Sequence, residues 1–72
     1  MSDSVKSPEY YMKQIDAKEV EISRLMGEMA FFAHNEEFEK AREKRAEIVR
    51  IRLSIYELQD KLEELVAPYL RF

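Results

Sequence analysis

The sequence contains no cysteine and no tryptophan, and histidine occurs once among its 72 residues. Without cysteine the chain has neither disulfide bonds nor thiolate ligands, and one histidine leaves too few donors for a structural zinc site. Glycine occurs once and proline twice, whereas average usage is about 7% and 5%. Because a β-sandwich or barrel needs many turns built from those residues, neither an all-β fold nor a disulfide-stapled fold is expected.

The sequence also lacks a long apolar run, of about 18 residues or more, that could cross a membrane. Its first eight residues have no apolar segment of the signal-peptide type. We therefore expect a cytoplasmic protein without a membrane partner. The net charge of −3 gives no globally basic surface for nucleic acid. A composition of 38% charged and 46% hydrophobic residues is typical of long helices and coiled coils.

A first amphipathic helix is predicted over residues 8–33, after a disordered tail at residues 1–7. Ser7 can cap free N–H groups, Pro8 suits the first helical position, and Glu9 favours the positive end of the helix dipole. The apolar side chains then fall mostly three or four residues apart, on one side of a helix, at Tyr11, Ile15, Ile22, Leu25, Met29 and Phe32. This stripe is widened by Met12, Met26, Ala30 and Ala33.

A second helix is predicted over residues 36–67, followed by an apolar C-terminal tail at residues 68–72. Pro68 cannot continue the helix, because proline lacks the N–H and clashes with the preceding turn. The apolar positions step by three and four without a polar member, at Ile48, Ile51, Ile55, Leu58, Leu62, Leu65 and Tyr69. Such a heptad seam is the signature of a coiled coil.

The two apolar stripes are out of phase, because Ile15 and Ile48 fall at different heptad positions. One straight helix could not present both stripes to a single partner. The polar run at residues 34–37 marks a break, with a turn at residues 34–36 and Asn35 as the N-cap of the second helix. The predicted fold is all-α, an antiparallel two-helix hairpin. Because the turn lacks glycine and proline, one continuous helix is the alternative.

The chain carries more apolar surface than one hairpin can bury. Val49, Leu53 and Tyr56 form a second stripe on the second helix, and the adjacent Phe31 and Phe32 cannot both face one neighbour. Apolar surface left over on so small a body indicates an interface, and a homodimer of hairpins would form a four-helix bundle or coiled coil. The predicted interface comprises Phe31, Phe32, Ile48, Val49, Ile51, Leu53, Ile55, Tyr56, Leu58, Leu62 and Leu65. A monomer with scattered exposed apolar groups is the alternative.

Nothing in the sequence indicates catalysis, a cofactor or a bound metal. His34 stands alone at the turn, and the only hydroxyl or thiol nucleophiles besides tyrosine are five serines. Gly27 belongs to no phosphate-binding loop, and either close helix packing beside Ala30 or a tolerated defect explains it. The Glu-x-x-His spacing of di-iron bundles does not occur. We therefore predict that the protein is not an enzyme.

Half of the basic residues are concentrated in residues 40–52. Possible phosphate contacts are Lys40, Arg42, Lys44, Arg50 and Arg52, and Arg45 is the sixth basic residue. These side chains alternate with Glu39, Glu43 and Glu47, which favours a solvated, salt-bridged helix face. Nucleic acid is therefore a less favoured partner than protein.

Several residues around the turn form a pattern: Asn35, Glu37, Phe38, Glu39, Ala41, Arg45 and the apolar Ile48, preceded by Leu25, Met26, Met29 and Ala33. Over residues 25–48 this pattern resembles the UVR motif, from which Glu36, Arg42 and Ala46 depart. The resemblance implies a helical hairpin that pairs with itself or with another such hairpin and has no catalytic activity. It also implies partner binding through Phe38, Glu39 and Arg45, with Phe38 packed across the turn and Arg45 reaching a polar group of the partner.

The sequence therefore predicts a small adaptor or regulator that acts as a homodimer and binds another protein. Two other hypotheses stay open, a nucleic-acid-associated protein that uses residues 40–52, and a small phage or mobile-element inhibitor that occludes a host enzyme. A nuclease-resistant protein partner in a pull-down would favour the adaptor or the inhibitor. Loss of all partners after nuclease treatment would favour nucleic acid.

Overall fold

The computed structural model describes the backbone of residues 7–69 and the side chains of residues 7–68. Helix α1 spans Pro8–His34, helix α2 spans Phe38–Val66, and a short 3₁₀ turn follows at Ala67–Tyr69. The two helices pack against each other, so the two-helix prediction is confirmed and a single continuous helix is excluded. Residues 1–6 of the tail predicted at residues 1–7, and residues 70–72 of the tail predicted at residues 68–72, lie outside the described residues.

The helix ends differ slightly from the predicted ones. α1 ends one residue later than predicted, while α2 begins two residues later and ends one residue earlier. The start of α1 forms as predicted: Ser7 has an extended backbone, and its Oγ accepts a hydrogen bond from the Tyr10 N–H at 3.3 Å. Pro8 occupies the first turn beside it. The cap satisfies one of the N–H groups that have no partner within the helix.

Asn35 ends α1 instead of starting α2. Both its backbone N–H and its side-chain amide donate to the carbonyl oxygen of Phe31, each at 3.1 Å. The residue before α2 is Glu37, which makes no side-chain cap hydrogen bond. The prediction of Asn35 as the N-cap of α2 is therefore wrong, because its side chain satisfies a carbonyl of the preceding helix.

The chain reverses through a backbone motif that follows Asn35. The N–H groups of Glu36 and Glu37 donate to the carbonyl oxygens of Ala33 and Phe32, at 3.0 and 2.8 Å. This pair of hydrogen bonds is the Schellman motif, which usually places glycine where the backbone is left-handed. Here that position is Glu36, with a φ of 60°. A residue with a Cβ costs roughly 1–2 kcal/mol there.

A single line of apolar contact, which we call the seam, holds α1 against α2. Its buried members are Ile15, Ile22 and Leu25 of α1 and Ile48 and Ile55 of α2, with Met29, Ile51, Leu58 and Leu62 packed against them. Leu25 is fully buried, and Ile48 and Ile55 are 3% and 5% exposed. The heptad residues predicted for a dimer interface therefore pack largely within the hairpin, because the second helix of the same chain is their nearest apolar partner.

The hairpin is one helix layer thick. Its smallest extent is 14 Å, close to the diameter of about 10–12 Å of a single helix with its side chains. A one-layer structure buries only the seam and leaves a broad face on either side of it.

Gly27 does not mark a close contact between the helices. A Cβ built on this residue would meet nothing within 4 Å, and its φ is not positive. The explanation by close packing beside Ala30 is therefore wrong within the hairpin. Gly27 is a tolerated defect in an exposed part of α1.

Candidate interaction surface

Two consecutive residues of α2, Lys44 and Arg45, lie on opposite faces of the hairpin. Lys44 and Arg45 precede Ile48 by four and three residues, so they flank it on opposite sides. Lys44 reaches Glu28 of α1 on one side, whereas Arg45 lines a groove with Met26 of α1 on the other. We call the first side the polar face, formed by Glu21, Arg24, Glu28, Lys44 and Glu47. We call the second side the apolar face, formed by Met26, Val49, Leu53 and Tyr56.

An ion pair between Lys44 and Glu28 links the two helices across the polar face. The Nζ atom of Lys44 lies 3.0 Å from Oε1 of Glu28 and 3.9 Å from Oε2 of Glu47. Within α1, the guanidinium of Arg24 binds Glu21 on one side and Glu28 on the other. The charges of this face are therefore largely matched inside the hairpin.

The ion pairs shift pKa values in the direction that favours the charged forms. The ion pair between Glu28 and Lys44 lowers the pKa of Glu28 below the usual 4.5 and raises the pKa of Lys44 above 10.5. The hydrogen bond from Arg24 likewise lowers the pKa of Glu21. Since these groups stay charged and paired with one another at neutral pH, the polar face offers few unpaired charges to a binding partner.

The apolar face exposes large hydrophobic side chains. Met26, Val49, Leu53 and Tyr56 are between 43% and 56% exposed. Leu53 follows Val49 by four residues and precedes Tyr56 by three, so the three lie on one side of α2. Arg52 lines both the groove beside Met26 and a second groove beside Tyr56, which places it near the middle of this face.

The structure separates the two phenylalanines from the rest of the predicted interface. Phe31 is exposed and contacts Phe32 edge-to-face, with ring centroids 5.6 Å apart. Phe32 is half-buried, and the Nζ of Lys40 lies 5.5 Å from its ring centroid. Phe31 is five residues from Met26, about 140° around α1, so the pair does not join the apolar face. The remaining predicted residue, Leu65, is half-buried near the end of α2.

Two of the predicted phosphate contacts are engaged within the hairpin. Lys40 lies over Phe32 and pairs with Glu37 at 3.1 Å. Lys44 pairs with Glu28 on the polar face. A phosphate would have to compete with these carboxylates for both ammonium groups.

The four arginines of this segment are distributed around α2. Arg42 lies in a shallow depression that it shares with Glu39 and Glu43. Arg45 and Arg52 lie on the apolar face, and Arg50 is exposed two residues from Arg52. The structure therefore does not gather the basic residues of positions 40–52 into one patch.

The residues of the UVR-like pattern are exposed, but they are not grouped at the turn. Phe38, the first residue of α2, is 57% exposed. The expected packing of Phe38 across the turn is therefore not seen, because the Schellman hydrogen bonds close the turn without it. Glu39 is exposed beside Arg42, while Arg45 lies two turns of helix further on, in the groove beside Met26.

Sequence reasoning left several residues of this surface out of the predicted interface, among them Met26, Glu19 and Gln59. Met26 had a signal, because it widens the apolar stripe of α1 beyond the width that one neighbouring helix covers. Glu19 and Gln59 line the groove beside Tyr56 and carried no signal, since polar residues beside a seam are ordinary. Their relevance follows only from the pairing of the two helices.

In the described part of the chain, no group of three or more histidine, aspartate or glutamate side chains could hold a metal ion. Nor is either helix there apolar enough, over a sufficient length, to cross a membrane. His34 is exposed in the last turn of α1.

Comparisons of the chain with protein-family models, with curated proteins and with solved structures found no match. The UVR resemblance therefore stays a prediction from residues 25–48. The apolar face is thus assigned from its geometry and chemistry.

Proposed function

We propose that the protein is a small non-enzymatic interaction module, an adaptor or regulator that works as a homodimer formed through the apolar face. The observation that carries the proposal is the unequal distribution of large apolar side chains. Met26, Val49, Leu53 and Tyr56 are half-exposed on one face, while on the other face an ion pair between Glu28 and Lys44 joins the helices. Large contiguous apolar patches are rare on the surface of monomeric soluble proteins, and where they occur they usually mark an interaction site.

The size of the face supports a stable dimer. A helix with the 29 residues of α2 is roughly 43 Å long at about 1.5 Å per residue. Two helices packed about 8–10 Å apart give the face a width of about 20 Å, and hence an area on the order of 800 Å². That area is close to the roughly 800 Å² that each partner buries in a stable interface of standard size.

A dimer through this face would be a two-layer bundle. Each hairpin supplies one layer, and the apolar face of each becomes the interior between the layers. The two polar faces, with Phe31 near one end, would stay outside and accessible. A further protein partner of the adaptor would therefore bind these outer surfaces, including the exposed Phe31.

Sedimentation equilibrium tests the proposal directly. The unmodified chain should sediment as a dimer at micromolar concentration. Leu53→Asp should sediment as a monomer, because a carboxylate placed between apolar layers would be buried without a partner. Circular dichroism should show that the variant is still helical, since Leu53 lies outside the seam.

Val20→Asp is the matched control. Val20 is 70% exposed on α1 and lies about a third of a turn or more away from Met26, given the helical advance of about 100° per residue. Val20→Asp should leave the dimer intact, although it replaces an exposed apolar side chain by a carboxylate as Leu53→Asp does. A monomeric unmodified chain, or equal effects of the two variants, would contradict the proposal.

A further inference from the structure

Charge is distributed unevenly along the length of the hairpin. The half nearest the turn, residues 22–52, contains seven basic and six acidic residues. The half at the open end, residues 8–21 and 53–66, contains three basic and eight acidic residues. The turn half is therefore nearly neutral, and the open half is strongly acidic.

On α2 the charges and apolar residues of the apolar face follow a symmetric order. From Arg42 to the open end, the side chains at helical spacing on this side are Arg42, Arg45, Val49, Arg52, Leu53, Tyr56, Asp60 and Glu63, and Phe38 precedes them on the same side. Counted outward from the point between Arg52 and Leu53, Arg42 is matched by Glu63 and Arg45 by Asp60. Val49 and Tyr56 stand at equal distances from the same point.

The hairpin itself does not account for this order. None of Arg42, Arg45, Asp60 and Glu63 forms an ion pair with another described residue, although each is exposed. The last turn of α2 contains no basic residue and includes Glu63, which opposes the negative end of the helix dipole. The acidic end of α2 therefore does not stabilise α2.

A second copy of the chain would match all of these groups if it lay antiparallel to the first. With a two-fold axis between Arg52 and Leu53, Arg42 would lie beside Glu63 of the second copy, and Arg45 beside Asp60 of the second copy. Val49 would meet Tyr56 of the second copy. Because the two-fold axis repeats each contact, each of the two kinds of ion pair would occur twice, which gives four ion pairs in the dimer.

A parallel pairing of the two α2 helices would bring like charges together. Arg42 would then lie beside Arg42 of the second copy, and Glu63 beside Glu63 of the second copy. Opposite charges at flanking positions set the orientation of paired helices, and like charges disfavour it.

We propose that the homodimer is antiparallel, with the two turns at opposite ends and the two α2 helices crossing at Arg52 and Leu53. This inference rests on the proposed function, because it requires the apolar face to be the dimer interface. To the proposed function it adds the orientation of the second copy and the charged residues that select this orientation.

Single-cysteine variants test the orientation, because the natural chain contains no cysteine. In the antiparallel dimer the two copies of residue 42 are about 31 Å apart along the helices, at 1.5 Å per residue. A disulfide requires Cα atoms within about 7 Å. Under mild oxidation Arg52→Cys should therefore cross-link with itself and Arg42→Cys should not, whereas a mixture of Arg42→Cys and Glu63→Cys should give the mixed disulfide.

The outcomes separate the two proposals. If sedimentation shows a dimer but Arg42→Cys cross-links with itself more readily than with Glu63→Cys, the antiparallel orientation is wrong and the proposed function stands. If the chain is monomeric, both proposals are wrong. Each cysteine variant should first show the helical content and the sedimentation of the natural chain.

Charge exchange gives a second, independent measurement. One variant carries Arg42→Glu and Arg45→Glu, and the other carries Asp60→Arg and Glu63→Arg, so each is matched only by the other. Each variant alone should dimerise at least about sixteenfold more weakly than the natural chain, given a loss of at least about two-fold for each of the four exposed pairs. The mixture should recover the natural affinity and lose this preference in 1 M salt. A mixture that binds no more tightly than either variant alone would overturn the proposal.

Discussion

The polar and apolar faces border the same seam, yet basic side chains are paired with carboxylates on the polar face and are not paired with any described residue on the apolar face. On the polar face Glu28 and Lys44 are 3.0 Å apart and join the two helices of one chain. On the apolar face Arg45 and Arg52 lie beside Met26 and Val49 without an ion pair to a described residue. The difference arises from a rotation of about 100° between Lys44 and Arg45. It teaches that local charge composition does not reveal whether a basic residue stabilises its own hairpin or is left for a partner.

The largest expected effect is a loss of folding stability on truncation of a seam residue, compared with truncation of a residue on the apolar face. Leu25→Ala should lower the free energy of unfolding by about 2–5 kcal/mol, because Leu25 is fully buried and the deletion leaves a cavity. Leu53→Ala removes the same atoms from a half-exposed site, so it should weaken dimerisation but leave the helical content unchanged. Urea denaturation and sedimentation measure the two quantities. Equal losses in both variants would contradict the division into seam and face.

Gly27→Ala should stabilise the protein by about 0.8–1 kcal/mol, because alanine is the better helix former and the added Cβ meets nothing. Gly27 lies next to Met26 in sequence but outside the apolar face. The variant should therefore raise the unfolding midpoint without changing the dimer affinity. A change in affinity would show that the interface extends further around α1 than the apolar face.

Glu36→Gly should give a stabilisation of about 0.5–1 kcal/mol, the difference between the cost of a left-handed residue with a Cβ and the extra chain entropy of glycine. The backbone hydrogen bonds of the turn do not involve the Glu36 side chain. Glu36→Ala is the matched control and should not stabilise, because it keeps the Cβ. Thermal denaturation of the three chains distinguishes the backbone effect from loss of the negative charge.

Acid should weaken the polar face before it affects the seam. The pKa of Glu28 is lowered by Lys44 in the folded chain, so its stabilisation is complete above about pH 4.5 and is lost as the pH falls through the lowered pKa. Glu28→Gln should therefore be slightly less stable at pH 7 and should lose less stability on acidification. Thermal melts from pH 7 to pH 3 measure this difference. An unchanged acid dependence would mean that the pair with Lys44 contributes nothing.

The smallest expected effect concerns nucleic acid. The chain should show no measurable binding to duplex DNA at 0.15 M salt, because the basic residues are distributed around α2 and interspersed with carboxylates within about one Debye length, ~8 Å. Fluorescence anisotropy with labelled DNA measures the binding. Binding that Arg42→Gln and Arg50→Gln both weaken, with a salt slope reduced by about 0.9 for each charge removed, would reverse the order of the two candidate partners.

Both helices and their packing were accessible from the sequence, because each carries a strong periodic signal. The regular steps from Ile48 to Leu62 identify the buried side of α2, and the phase difference from Ile15 requires a break between the helices. Ser7 was readable as a cap because a short polar side chain before proline has few other roles at a helix start. Local chemistry determines each of these features.

The turn and the candidate surface were less accessible, since they depend on contacts between distant residues. Asn35 suits either the end of one helix or the start of the next, and only the backbone hydrogen bonds of Glu36 and Glu37 decide between them. The heptad pattern alone does not say whether Ile48 and Ile55 face their own chain or a second one. The predicted interface consequently mixed seam residues with face residues, and it separated Met26 from Val49 although the hairpin brings them together.

The position of the turn also sets the order in which the hairpin gains and loses structure. Glu28 and Lys44, near the turn, are 16 residues apart in the chain, whereas Ile22 and Ile55, which line one groove, are 33 apart. Once the turn has formed, each further contact closes only a small additional loop, so its entropic cost is low. Opening should therefore proceed from the ends at Pro8 and Val66 toward Glu36. Amide protons of the α1 and α2 residues closest to the turn should exchange with solvent more slowly than those at the open end.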